Sequence, residues 1–348
     1  MNIPEKLRKM KPYDPTEDIY RIKLDANESP LEPGSIISQE IACALLNVPF
    51  NRYPDPKSER VCSLGADFFG VKRENVVAGN GSDELISVIL GSMCQKGGRL
   101  MLLGPDFSMY AIYAGLCELE VKVALKDARM EISVDRIIEE AKEFRPDAVL
   151  FSNPCNPTGQ GIGKAEMLRL CSSLDCLLII DEAYMDFYGE SVLPEGCGYK
   201  NVIVLRTASK AFGFAAVRLG FAVGDAELIS QLNKARSPFN VNALTQAAAG
   251  VFLSHPKYLK ECTEEVIRLK NELEDGLAAL CESHPDRIGL QRTVTNFAVL
   301  LTDSAKELYG KLLERGVCVR CFDDFLRITA GTKRENEALF KALEEILK

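Results

Sequence analysis

Between residues 99 and 223 the chain alternates short β-rich runs with helical patterns, an order that few architectures accept. Arg99–Leu103, Val121–Ala124, Ala148–Phe151, Leu177–Ile180, Val202–Leu205 and Phe221–Val223 read as strands. Helical patterns lie between several of them, as at Val134–Phe144 and Lys164–Leu174. Such alternation builds a largely parallel sheet with helices on both faces. After Pro238 the pattern changes. An Ala-rich helix is expected over Asn242–Leu253. A long amphipathic helix follows over Lys257–Cys281, with Leu259, Val266, Leu269, Leu273 and Leu277 at helical spacing. Strands are expected at Asn296–Leu301, Val317–Cys321 and Leu326–Thr329, with helices at Ala305–Arg315 and Lys333–Leu347. The fold class is therefore α/β, a large domain with a mostly parallel central sheet, plus a smaller α+β C-terminal domain. The 348 residues suit such a pair. The expected organisation is an N-terminal arm over 1–30 packing on the small domain, a large domain over 31–240 and a small domain over 241–348.

Charge and composition narrow the function classes. The formal net charge is −8, which argues against nucleic acid or an anionic membrane as the main partner. The first residues, MNIPEKLRKMKPY, are charged and lack the apolar core of a secretory signal. No run of 18 apolar residues occurs, so no membrane span is expected and a cytoplasmic location follows. The 12 cysteines are scattered, mostly in apolar segments, and read as small core residues in a reducing compartment. The one CxxC, Cys318–Cys321, has no second pair and lies in a strand-like alternation, so no metal site is expected.

Four stretches carry chemistry. Gly79-Asn80-Gly81-Ser82-Asp83-Glu84 follows a strand and opens a helix, where free amides and the helix dipole favour an anion such as phosphate. Glu84 stands where a dinucleotide fingerprint has its third glycine, and Ser82 could instead be a plain helix cap. Ser152–Gly159, SNPCNPTG, is an exposed loop after a strand and offers the amide of Asn156. Leu177–Tyr184, LLIIDEAY, ends a buried strand in Asp181, an acid that needs a proton, a cation or a cap to form there. Val202–Gly220, VIVLRTASKAFGFAAVRLG, runs from a strand through a polar turn to Lys210 and on to Arg218. A lysine at the carboxyl edge of such a sheet, among apolar neighbours, loses its charge easily and becomes a nucleophile. Together these groups answer one cofactor: an anion nest for a phosphate, a carboxylate for a ring nitrogen, neutral donors for a ring hydroxyl and an amine for an aldehyde. That cofactor is pyridoxal 5'-phosphate.

NPCNPTG, DEAY, RTASKAFG and VRLGF, in this order, resemble the fold-type I (aspartate aminotransferase-like) aminotransferases. LDANESP, NRYPDP, GNGSDE, RSPFNVN and LRITAG narrow the resemblance to the histidinol-phosphate aminotransferases, from Tyr13 to the C-terminus. The resemblance implies reversible, ping-pong amino transfer between L-histidinol phosphate and 2-oxoglutarate, within histidine biosynthesis. It implies that Lys210 bonds pyridoxal phosphate and moves the substrate proton, and that Asp181 faces the ring nitrogen. Asn156 and Tyr184 would meet the ring oxygen, and Phe107 would stack on the ring. Ser82, Asp83, Ser209, Arg218 and Thr207 would hold the phosphate, joined by Tyr53 from the neighbouring subunit of a homodimer with shared sites. Arg327 and Arg320 would bind the substrate's anionic end, under Tyr13 and Asn27. Ala216, Cys155 and Thr295 depart from the usual pattern without removing a catalytic group. A threonine-phosphate decarboxylase, or an aromatic amino-acid aminotransferase, fits the same scaffold. A non-catalytic sensor of pyridoxal phosphate would need a DNA-binding helical segment, and none precedes Tyr13.

Overall fold

The computed structural model describes residues 3–10 and 20–348. A first short strand, β1 (Ile22–Lys23), precedes the large sheet. Seven strands build that sheet: β2 (Val76–Gly79), β3 (Arg99–Gly104), β4 (Glu120–Leu125), β5 (Ala148–Ser152), β6 (Leu177–Asp181), β7 (Val202–Thr207) and β8 (Gly220–Gly224). Their spatial order is β2-β8-β7-β6-β5-β3-β4. Pairing is parallel from β7 through to β4, while β8 runs antiparallel to both its neighbours. Six strands thus share one direction. Their carboxyl ends and the amino end of β8 meet at one edge of the sheet.

The apolar character of these strands has a simple cause. Successive side chains point to opposite faces, and both faces are covered. Phe151, Ile180 and Val204 enter one core, while their neighbours Leu150, Ile179 and Ile203 enter the other. Nothing polar can sit in the middle of such a strand without an unpaired group. Polar residues therefore collect where the strands end.

The smaller domain is built on β9 (Gly289–Gln291), β10 (Phe297–Leu301), β11 (Val317–Cys318), β12 (Arg320–Cys321) and β13 (Phe325–Thr329). Four of these form an antiparallel sheet in the order β12-β13-β10-β9. The helix Pro256–Ser283 joins the two units. Its Leu259 and Val266 belong to the core of the large domain, and its Leu273, Leu277 and Leu280 to that of the small one.

One expected strand divides. Val317–Cys321 splits around Val319 because it serves two sheets: β11 pairs parallel with β1, and β12 pairs antiparallel with β13. Cys318 and Cys321 thus belong to different sheets, and none of the twelve cysteines is in a disulfide. Helices at Met109–Leu116 and Ala226–Ala235 are additions to the sequence reading. No described helix is long and apolar enough to cross a membrane.

One close approach sets the geometry of the site. A Cβ on Gly220 would lie 2.3 Å from the Ser82 nitrogen, so only glycine lets β8 begin against the start of the helix Ser82–Met93. This brings Arg218, two residues earlier in the chain, alongside that helix end.

Candidate active site

A cleft of about 390 Å3 opens over the strand ends, between the large sheet and the small one. Lys210, Asp181, Arg218, Asn156 and Arg327 all line it, although they come from four separate parts of the chain. The volume lies within the range of small-molecule sites, roughly 300–1,000 Å3.

Lys210 follows the turn after β7 and is half-buried. Its Nζ donates to the Ala26 carbonyl at 3.0 Å and lies 5.8 Å from the centre of the Tyr184 ring. Burial pushes its amine down to about 8, and the nearby charge of Arg327 adds to that. The solvated-lysine reading does not fit this environment. About one molecule in ten then carries a neutral amine at pH 7, against roughly one in three thousand for an ordinary lysine.

Asp181 ends β6 on the cleft floor and is 5% exposed. Tyr110 donates its hydroxyl to Oδ2 at 2.8 Å, and the Ala183 amide donates to Oδ1 at 3.1 Å. Burial pushes the carboxyl up to about 7. Tyr110 draws it down, while the charges of Asp106 and Asp83 raise it further. Such an acid is poised to hold a proton or to meet a cation.

The helix Ser82–Met93 points its amino end at the cleft. It starts at Ser82 itself, and its N-cap, Gly81, has no side chain to cap it. The plain-cap reading of Ser82 therefore fails, and the first amides are left for an anion. Arg218 closes this end, its Nη2 3.3 Å from Asp83 Oδ2 and its Nη1 3.4 Å from Ser209 Oγ. Thr207 Oγ1 donates to Ser209 Oγ at 3.1 Å. Ser82, Asp83, Thr207, Ser209 and Arg218 thus form one polar cradle.

The opposite wall is cationic. Arg320 and Arg327 are register partners across β12 and β13, and both line the cleft. Arg327 donates to Asn156 Oδ1 and to the Asp25 carbonyl. Arg320 has no ion-pair partner among the described residues. Asn27 is buried with φ 54°; its Nδ2 donates to the Tyr184 hydroxyl at 2.8 Å, and its Oδ1 accepts from Thr329 at 3.0 Å. Phe107 lines the cleft with its ring edge-on to Tyr110, 5.5 Å between centres.

Two expected residues stand apart. Tyr53 is 82% exposed, stacks on Phe239 at 4.6 Å and lies outside this chain's cleft. Tyr13 lies outside the described residues. Ala216, Cys155 and Thr295 do not line the cleft. The sequence reading missed Asp106, Tyr110, Ser152, Lys23 and Phe322, which do. A signal existed for Tyr110: it follows Phe107 by three residues, one helical turn.

An amine, a buried acid and an anion cradle at the strand ends of an α/β sheet, under an antiparallel cap bearing arginines, define an aminotransferase-type site. The family described as aminotransferase class I and II matches residues 21–343, and the chain belongs to it. It is 38% identical over 349 residues to the histidinol-phosphate aminotransferase of Clostridium kluyveri, covering 99% of this chain and 98% of that protein. It is 36% identical over 335 residues to that of Clostridium novyi, covering 95% and 93%. Among solved structures, histidinol-phosphate aminotransferase from Sinorhizobium meliloti, in complex with pyridoxal-5'-phosphate, superposes with a TM-score of 0.89. That match has 20% identity and covers 99% of this chain and 97% of the other.

Proposed function

We propose that this aminotransferase uses pyridoxal 5'-phosphate to exchange an amino group between L-histidinol phosphate and 2-oxoglutarate, in histidine biosynthesis. The observation that carries the reading is the polarity of the cleft. An uncapped helix end with Arg218 lies at one end, Asp181 on the floor, a readily neutralised Lys210 in the middle, and Arg320 with Arg327 opposite. The donor set fits the cofactor's phosphate, ring nitrogen and aldehyde in turn.

Pyridoxal phosphate, when bound, supplies a carbonyl carbon that bonds an amine and a ring that stores the electron pair left by a departing proton. The protein's part is placement and proton handling. Ser82, Asp83, Ser209 and Arg218, with help from Thr207, hold the phosphate. Asp181 carries the negative charge that keeps a proton on the facing nitrogen. Asn156 and Tyr184 orient the ring oxygen, and Phe107 covers the ring. Lys210 takes and returns the substrate proton through Nζ, a task suited to an amine near 8. Arg327 and Arg320 grip the anionic end of each substrate, phosphate or carboxylate, with forked donors. Asn27 closes the wall behind Tyr184. The division into an arm (1–30), a large domain (31–240) and a small domain (241–348) goes with this reading, as does a cytoplasmic location.

A donor screen tests the substrate. Holoprotein is mixed with single amines and the absorbance of the bound cofactor is followed. Histidinol phosphate is expected to bleach it fastest. A fast response to phenylalanine with none to histidinol phosphate would overturn the named donor. Carbon dioxide release without demand for a keto acid would overturn transamination.

The reading includes a homodimer with shared sites. Leu46, Phe50 and Tyr53, close together in the sequence, are each more than four-fifths exposed, which favours a partner. Tyr53 would then reach the phosphate cradle of the neighbouring subunit. Co-expression of a Tyr53→Ala chain with a Lys210→Ala chain tests this. Each variant alone is expected to be impaired. Their heterodimer restores one intact site, giving up to about a quarter of normal activity. Activity no greater than the sum of the two separate variants would refute shared sites.

A further inference from the structure

Asp106 has no part in the assignments above, yet it lines the cleft and is half-buried. Its contacts are unusually complete. Oδ1 accepts from the Ser152 hydroxyl and, at 2.7 Å, from the Phe107 amide. Oδ2 accepts from the Ser152 amide at 3.0 Å. The Ser152 hydroxyl has one proton, and Asp106 takes it. Its lone pair is thereby turned to the Asn156 amide, which donates to Ser152 Oγ at 3.1 Å. One carboxylate thus ties the loop after β3, which carries Phe107, to the loop after β5, which carries Asn156.

A second tie joins the same loops. Lys126 Nζ donates to the Pro105 carbonyl at 2.9 Å and to Cys155 Sγ at 2.7 Å. Pro105 precedes Asp106 and Cys155 precedes Asn156. The lysine also supplies a positive charge that offsets that of Asp106. This gives Cys155, which departs from the usual sequence of the loop, a structural partner.

The orientation of Asn156 follows. Arg327 has only donors, so the Asn156 oxygen faces it and the Nδ2 end is left for the contents of the cleft. We infer that Asp106, acting through Ser152 and backed by Lys126, is a positioning residue that sets the Asn156 amide and the Phe107 ring against the cofactor. The inference rests on the pyridoxal-phosphate reading of the cleft.

The test uses holoprotein and reads the cofactor as well as turnover. Asp106→Asn cannot accept on both oxygens, and Ser152→Ala removes the relay with a smaller change. Both are expected to weaken cofactor affinity about five- to tenfold. Both should shift the pH midpoint of the cofactor's absorbance by about half a unit, in the same direction as Asn156→Ala. The Asp106→Asn/Asn156→Ala pair should be little worse than Asn156→Ala alone, as expected for residues acting in series. Folded variants with normal affinity and an unmoved midpoint would overturn the relay, as would additive effects in the pair. If Asp106→Asn fails to fold, Ser152→Ala decides by the same readouts. A wild-type protein that shows no cofactor band overturns both this inference and the reading beneath it. A normal wild-type band with unaffected variants overturns this inference alone.

Discussion

Replacing Lys210 with alanine is expected to lower amino transfer by on the order of 10^4-fold while leaving the protein folded. The size follows from the chemistry proposed for Nζ. Among the described residues the cleft holds one other lysine, Lys23, and its Nζ is tied to Asp25 at 3.1 Å and to Glu28 at 3.2 Å, while Arg218 and Arg327 are engaged with Asp83 and with Asn156. The fold should tolerate the change because, among the described residues, the Lys210 side chain makes one hydrogen bond, to the Ala26 carbonyl, and its amine is held below its ordinary value. The cradle around Ser82 and Arg218 is untouched, so the variant should still take up cofactor, without the absorbance of the covalently held form. Stopped-flow turnover and the absorbance spectrum check both halves of this statement. Full turnover in Lys210→Ala would remove the lysine from the mechanism. In the wild-type protein without cofactor, covalent capture of pyridoxal phosphate should speed up as pH rises and level off above about 8, where Nζ is neutral.

The sequence makes some of this site plain and hides the rest, for a physical reason. Asp181, Asn156 and Lys210 each come just after a run of apolar residues, at 177–180, 148–151 and 202–205, so a polar residue at the strand end stands out against its neighbours. The order of those strands also shows the sheet. Tyr110 was hidden because it sits in an apolar helix, Met109–Leu116, where an aromatic residue reads as core; only its hydroxyl, against Asp181, tells otherwise. Asp106 was hidden beside Phe107 in a loop where an acid reads as solvated. The split at Val319 was hidden because a two-residue period reports which face is buried and nothing of which strand lies alongside. Asn27 is the extreme case. It reads as a turn residue, and its partners Tyr184 and Thr329 lie 157 and 302 residues away. Contacts of that range come from packing two domains together, which local pattern does not record.

Asp181→Asn is the second large effect, and it acts in opposite senses on activity and on stability. In the proposed arrangement, with cofactor bound, the carboxylate would be one half of a buried charge pair. Asparagine leaves the other half without a partner. Breaking a buried pair costs about 3–5 kcal/mol, so turnover should fall roughly 10^2- to 10^4-fold. Without cofactor the balance reverses. The folded protein holds Asp181 at about 7, well above the ordinary value near 3.9 of the unfolded chain. Between those values the folded state binds more protons than the unfolded state, so Asp181 makes the protein less stable as pH rises from about 4 to 7. Asparagine cannot ionise and removes that penalty. The cofactor-free variant should therefore gain up to about 4 kcal/mol over the wild type at pH 8, and only about a quarter of that at pH 4.5. Thermal unfolding of both proteins at the two pH values measures the gap. An equal gap at both would show that Asp181 is not the group that titrates. A wider gap at pH 8 would show that the buried acid destabilises the empty protein, and that the stability it withholds is returned when a cation sits against it.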